Sequence, residues 1–395
     1  MELLSPAGDF ESLVNAVLFG ANAVYLGAEA FTMRKHAKNF TFPEIDMAVK
    51  FAHSHGVKVF LTCNIIPTND EIDAFPEFLE KAVNAGIDAI IVADMGIFSL
   101  TRTLAPELDI HISTQAGIAN FAAAAAFYNG GAKRVILARE VPLADVAKIR
   151  EKTPDGLAVE VFAHGAMCVS YSGRCLLSQY FTGRDANHGD CAQPCRWSYT
   201  IAAENHEDEK LGVYEDERGT YILNSKDLCM IEHIPELLAA GVDSLKIEGR
   251  GKSAYYTAVI TNAYRMAIDA AEKGLPFPEQ ALAEVHNVSH RPYTTGFYFG
   301  EKDKNFYLHS GYERRATFVG TVTGESEITQ RNYFLTEDDL EVIIPGEGIR
   351  KLKQLELFTE DGTPVQKANI AGQKLTFRAE IPLPLHSILR VISNE

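Results

Sequence analysis

Gly20-Ala-Asn-Ala-Val-Tyr-Leu26, Gly86-Ile-Asp-Ala-Ile-Ile-Val92, Gly131-Ala-Lys-Arg-Val-Ile-Leu137 and Gly241-Val-Asp-Ser-Leu-Lys-Ile247 are four versions of one phrase. In each, a glycine closes a segment of helical period and a short loop leads into an almost wholly apolar run. Glycine has no Cβ to penalise the left-handed conformation, so it ends helices there, and one helix-to-strand turn is being reused. Strands that are apolar throughout are those covered on both faces, as in parallel sheets. Outward from these phrases, strands are expected over 2–5, 23–27, 57–64, 89–93, 111–113, 134–137, 159–162 and 244–247. Helices are expected over 10–19, 42–53, 71–85, 96–104, 120–129, 142–151, 233–240 and 255–273. Parallel neighbours need right-handed crossovers, and eight strands within roughly 250 residues favour closure into a (β/α)8 TIM-like barrel. A doubly wound open sheet is the alternative, because the same local pattern serves both.

The texture changes at Pro276–Pro278, and beyond about residue 310 helical periodicity fades. Runs at 317–322, 340–344, 354–358, 374–379 and 388–392, with turns at Pro345-Gly346 and Asp361-Gly362, predict a small C-terminal antiparallel β-barrel domain. The division is therefore a barrel over 1–305, with a cysteine-rich insertion at about 164–230, and an accessory domain over 306–395.

At 395 residues and 46% apolar content the chain buries a large core, and 23% charged residues argue against extensive disorder. No run approaches the length of a membrane span and no basic, then apolar, leader opens the chain, so a cytoplasmic protein is expected. The net charge of -16 opposes nonspecific nucleic-acid binding but leaves room for a local basic site. Much of the acid lies between Glu204 and Arg218, which reads as a solvated insertion, whereas Arg34, Lys35, His36 and Lys38 form a small basic group.

Six cysteines in such a chain point to metals or redox chemistry rather than disulfides. Four of them, Cys168, Cys175, Cys191 and Cys195, are separated by six, fifteen and three residues after the seventh predicted strand. Zinc sites rely on tighter knuckles, while soft thiolates also hold iron–sulfur clusters, so a 4Fe–4S cluster is expected ahead of zinc or unligated thiols. Cys229, beyond Asn224-Ser-Lys-Asp227 where a helix is expected to begin, competes with Cys195 for the fourth ligand; Cys195 is preferred. Cys63, inside an apolar strand, reads as core.

These residues also carry a family pattern. Glu160-Val-Phe-Ala-His-Gly-Ala-Met-Cys168-Val-Ser-Tyr-Ser-Gly-Arg-Cys175-Leu-Leu-Ser178 closely resembles the signature of the peptidase U32 family. Glu2-Leu-Leu-Ser-Pro-Ala-Gly-Asp9, Thr182 to Asn187, Cys191 to Trp197, Ser244 to Arg250 and Ser289 to Gly296 resemble it too. The subgroup with one small β-domain fits best. That resemblance implies 5-hydroxylation of the tRNA anticodon wobble uridine, a 4Fe–4S cluster on Cys168, Cys175, Cys191 and Cys195, and prephenate as a small carboxylated cosubstrate. Other members hydroxylate ribosomal RNA or ubiquinone precursors, and some carry a collagenase label. Fold alone does not choose among these.

A cysteine peptidase needs a base and an orienter beside its thiolate, and here only His164, four residues before Cys168, offers itself. No His-Glu-x-x-His occurs, and His53-Ser-His55 ends a predicted helix. For a hydroxylase the candidates are polar residues just past barrel strands. Asn64, Gln115 and Arg139 are expected to bind the cosubstrate; Glu248, His164 and Arg250 are expected in catalysis, with Glu248 moving a proton and Arg139 or Arg250 clamping a carboxylate. Glu140 shares that rim. Tyr171, Tyr180, Phe181 and Trp197 flank the cysteines and suit base stacking, although core packing is the ordinary role for half of them. A noncatalytic cluster-bearing protein that binds RNA or a protein partner is the competing reading.

Overall fold

A computed structural model describes residues 1–33, 38–168, 170–197, 214–216, 219–221, 225–300 and 312–392. Most of the acidic insertion after Glu204, and Arg34, Lys35 and His36, lie outside the described residues. The first half alternates without a break: β1 (Glu2–Pro6), α1 (Phe10–Leu18), β2 (Ala23–Gly27), α2 (Phe42–Ser54), β3 (Lys58–Cys63), α3 (Asn69–Asn84), β4 (Ala89–Val92), α4 (Met95–Leu104), β5 (Asp109–Ile112), α5 (Phe121–Asn129), β6 (Arg134–Ile136), α6 (Leu143–Lys152) and β7 (Ala158–Ala166). There follow α7 (Leu177–Thr182), a hairpin of β8 (Tyr214–Asp216) and β9 (Gly219–Tyr221), β10 (Asp227–Cys229), α8 (Ile234–Ala239), β11 (Ser244–Ile247), α9 (Ala254–Glu272), α10 (Glu279–Asn287) and β12 (Tyr293–Thr294).

Each of β1 to β6 pairs in parallel with its successor, and β11 pairs in parallel with both β1 and β7. The sheet is therefore a closed eight-stranded barrel, which removes the open-sheet alternative. Its strands are buried almost without exception. The repeated phrases work as their chemistry requires: Gly20, Gly86, Gly131 and Gly241 have φ of 107°, 80°, 105° and 75°. Helix starts are equally local, with full capping boxes at Thr41 with Glu44 and at Thr68 with Glu71.

Several elements were not expected from the sequence, and two of them are instructive. Asp227–Cys229 is not the start of a helix but strand β10, antiparallel to β7 with Asp227 opposite Ala166 and Cys229 opposite His164. Its conformation is set by that distant partner and by the Arg291 guanidinium, 2.6 Å from the Asp227 carboxylate. The nine-residue helix α10, which follows Pro278, is too short for its period to stand out beside the prolines.

The second domain contains β13 (Ala316–Gly324), β14 (Glu327–Gln330), β15 (Phe334–Leu335), β16 (Leu340–Ile344), β17 (Gly348–Leu352), β18 (Leu355–Phe358), β19 (Pro364–Val365), β20 (Lys367–Ala368), β21 (Lys374–Ala379) and β22 (Ile388–Ile392). Eight of these form one sheet in the order β17-β16-β22-β13-β14-β21-β18-β19, every pair antiparallel, around a core of its own that includes Val319, Ile328, Val342 and Leu389. It is joined to the barrel by Arg390, whose guanidinium makes two 2.6 Å bonds to Glu284 of α10 and one of 2.6 Å to Glu341. Tyr255 stacks on Phe318 across the same junction at 5.2 Å.

Candidate functional site

The C-terminal ends of the barrel strands open into a cavity of about 870 Å³. Its walls come from consecutive strand ends: Tyr25 from β2, Thr62 and Asn64 from β3, Ser113 and Gln115 after β5, Arg139 after β6, Phe162 from β7, and Lys246, Glu248 and Arg250 from β11 onward. The loop after β7 folds over the opening and contributes Cys168, Cys175, Cys191 and Cys195 to the same cavity.

That loop is held by turns rather than regular structure. Gly183 and Gly189 adopt φ of 72° and 81°, and a Cβ on Gly189 would lie 2.5 Å from the Thr32 carbonyl oxygen, so the loop docks backbone to backbone on the segment after β2. The Asn187 carbonyl accepts from the Ile66 amide at 3.2 Å, and the Asn187 side chain donates to the Cys175 carbonyl at 3.2 Å. Glu140, on the rim, accepts from the amide and hydroxyl of Ser172 at 2.7 and 2.8 Å and so anchors the first turn.

Backbone amides of Leu177 and Gln193 each donate to a thiol, Cys175 Sγ and Cys191 Sγ, at 3.4 Å. Such N–H···S contacts favour the thiolate and are the usual surroundings of cluster sulfurs. Burial raises the Cys195 pKa; Arg196 opposes the rise, and the neighbouring charges of Cys168, Cys191 and Cys175 add to it, which puts those three thiols within electrostatic reach of Cys195. Among the described residues no group of three or more His, Cys, Asp or Glu side chains is placed to hold a single metal ion. The donor set is four thiols without a lining histidine, soft ligands that suit an iron–sulfur cluster, in which each thiolate binds a different iron.

The remaining cysteines lie elsewhere. Cys229 does not line the cavity; burial pushes its thiol up to about 12, and its sulfur faces the Tyr264 hydroxyl at 4.0 Å. Cys63 is 1% exposed within β3, and burial raises its pKa strongly. Of the two rivals for a fourth ligand, Cys195 shares the wall with the other three.

Asn64, Gln115, Arg139, Glu248 and Arg250 all reach the cavity. Arg139 donates to the Ala166 carbonyl at 2.6 Å, lies 3.8 Å above the Phe162 ring and stands 3.8 Å from the Glu248 carboxylate. Asn64 accepts from the Met33 amide at 3.4 Å, and Gln115 from the Ser113 hydroxyl at 3.3 Å. Arg250 is buried and donates to the Thr62 and Thr32 hydroxyls at 2.8 and 2.7 Å, so it ties the segment after β2 to strand β3 as well as facing the cavity. Gly27 makes room for it: a Cβ there would fall 2.1 Å from Arg250 Nη1 and 2.6 Å from Thr32 Oγ1. Gly27→Ala is expected to destabilise the protein by about 1–3 kcal/mol through overpacking. Chemical denaturation of the variant checks this, and a wild-type midpoint would show that Arg250 moves aside freely.

His164 does not belong to the site. It is 1% exposed, absent from the cavity wall, and packed against Tyr256, Tyr264 and Tyr293, with the Tyr264 hydroxyl 3.3 Å from Nδ1. Burial lowers its pKa to about 3, so the ring is neutral across the physiological range. The cause is a slip in register: β11 pairs Lys246 with Phe162 but Ile247 with His164, and this irregularity breaks the alternation that would carry position 164 inward with Phe162.

Lys246 is the residue that sequence reading passed over. It is 5% exposed, stands 3.4 Å from Glu160 and 4.1 Å over the Tyr25 ring, and lines the cavity floor. Burial lowers its pKa and Glu160 resists that. A lysine inside a four-residue buried strand was the available signal. Below it, Arg134 pairs with Glu160 at 2.6 Å and with Glu2, closing the polar interior. Among the described lining residues six cations, Lys38, Arg139, Arg196, Lys246, Arg250 and Lys252, face two carboxylates, Asp9 and Glu248. The acidic chain thus concentrates positive charge at its mouth, where low-dielectric walls strengthen attraction for anions.

Fold and site together define a class: closed (β/α)8 barrels whose seventh strand runs into a thiol-bearing loop across the mouth, with an antiparallel β-domain appended. The chain belongs to peptidase family U32, whose sequence profile matches residues 8–307, while that of the peptidase family U32 C-terminal domain matches 314–390. It is 35% identical to tRNA hydroxylation protein P of Escherichia coli over the whole of this chain and 97% of that one. It is 44% identical to an uncharacterized protease of Methanocaldococcus jannaschii over 77% of this chain and 74% of that one. With the 23S rRNA 5-hydroxycytidine C2501 synthase of Escherichia coli it shares 33% identity over 98% of this chain and 58% of the other.

Proposed function

We propose that this protein is an RNA hydroxylase acting on tRNA, adding the 5-hydroxyl of the wobble uridine with a 4Fe–4S cluster held by Cys168, Cys175, Cys191 and Cys195 and with prephenate as cosubstrate. The observation that carries the reading is the meeting of four thiols and six cationic side chains in one cavity at the catalytic end of a barrel. The relatives named for tRNA and rRNA hydroxylation support the substrate class.

When bound, the cluster supplies one-electron redox chemistry at the mouth. The protein's own residues supply the rest. A cavity of about 870 Å³ has room for an extruded base beside a small carboxylate. Arg139 and Lys246 offer positive charge to that carboxylate, Arg139 with a guanidinium already fixed by the Ala166 carbonyl and the Phe162 face. Glu248, 3.8 Å from Arg139, is the group placed to hold or pass on a proton. Among the described residues no histidine lines the cavity beside a thiol, which weighs against a cysteine-peptidase arrangement.

Mass spectrometry of tRNA nucleosides tests the proposal. In a strain lacking the gene, and free of compensating paralogues, 5-hydroxyuridine derivatives are expected to fall to background and to return with the wild-type gene. Undiminished derivatives would end the tRNA reading.

A further inference from the structure

The loop that carries the thiols also carries large exposed aromatics. Tyr180 is 82% exposed, Phe181 47% and Trp197 40%, and the three rings form a chain with centroids 5.2 and 6.3 Å apart. The helix beneath them, α7, has six residues, too few to present a groove. The patch is continuous with the site: Cys175 precedes α7 by two positions, and Trp197 directly follows Arg196, a residue of the cavity wall.

Its electrostatic setting selects the occupant. Arg174 is exposed beside Cys175, and Arg196 lies between Cys195 and Trp197. Between Cys168 and Trp197 the two acids are engaged locally, Asp190 by Arg184 at 2.5 Å and Asp185 by His188 at 2.7 Å. Aromatic faces flanked by arginines, on a chain whose net charge is otherwise -16, match alternating bases and phosphates better than an apolar protein surface. We propose that Tyr180, Phe181 and Trp197 are a stacking platform for the unpaired nucleotides that flank the base in the cavity, with Arg174 and Arg196 holding their phosphates. This rests on the RNA reading and locates the partner's second contact.

The test uses full-length protein purified anaerobically and a fluorescein-labelled RNA stem–loop with a uridine-containing loop, read by fluorescence anisotropy beside a blunt RNA duplex. Tyr180→Ala is expected to weaken stem–loop binding roughly 5- to 150-fold, the effect of losing one base–aromatic stack. Tyr180→Trp is expected to retain it, and Tyr333→Ala, which removes an exposed tyrosine of the β-domain, to leave it unchanged. Arg174→Ala is expected to flatten the salt dependence by about one phosphate contact. Stem–loop affinity of Tyr180→Ala equal to wild type overturns the platform and leaves the RNA reading standing. Wild-type protein that binds no stem–loop overturns the RNA reading, and the platform with it.

Discussion

Cys175→Ser protein, purified anaerobically, is expected to retain little of the iron and sulfide of the wild type, while Cys63→Ser and Cys229→Ser retain both. Serine replaces a soft thiolate by a hard, weakly acidic hydroxyl, which does not hold iron in a sulfide cluster. Cys175 is also the thiol whose sulfur receives the Leu177 amide and whose carbonyl is bonded by Asn187, so the loop is built to present it. Cys63 is buried and Cys229 half-buried, both away from the cavity wall, and neither contributes a donor there. Cys195→Ser is expected to lower iron like Cys175→Ser. Equal iron in wild type and Cys175→Ser would remove the proposed cluster from this site, and loss of iron in Cys229→Ser with retention in Cys195→Ser would reassign the fourth ligand.

Arg390→Ala is expected to cost about 3–5 kcal/mol, the effect of leaving buried charges without their partner. Arg390 is 1% exposed and bonds Glu284 through both terminal nitrogens and Glu341 through two nitrogens, so its removal leaves the buried Glu284 and the part-buried Glu341 without their shared cation. The damage concentrates at the junction, because Glu284 belongs to α10 of the first domain and Glu341 to β16 of the second. Replacing all three residues by apolar ones of similar volume is expected to recover much of the loss. Urea denaturation followed by tryptophan and tyrosine fluorescence measures both variants. An Arg390→Ala midpoint at the wild-type value would mean that water reaches the pair and the junction is not dry.

Much of what depends on consecutive residues was legible in them. The left-handed glycines at 20, 86, 131 and 241, the capped helix starts and the apolar strands each depend on a few neighbouring residues, and together they imply a barrel. The cysteine spacing is equally local, and the four thiols do reach one cavity. What a side chain faces is a different matter. His164 turned away from the mouth because β7 and β11 slip in register between Lys246 and Ile247, and no property of the His164 segment alone encodes that slip. Cys229 became part of a strand because His164 lies opposite it on β7 and because Arg291, far along the chain, pairs with Asp227 at the start of the same strand. Lys246 mattered because barrel closure turned its position into the cavity floor. Sequence by itself determined most of the elements, their order and the thiol-bearing loop, since propensity, capping and turn stereochemistry act over one or two turns of chain. Only the tertiary structure decided which polar side chains meet, since facing and partnership depend on register and closure between strands that the chain brings together from opposite ends.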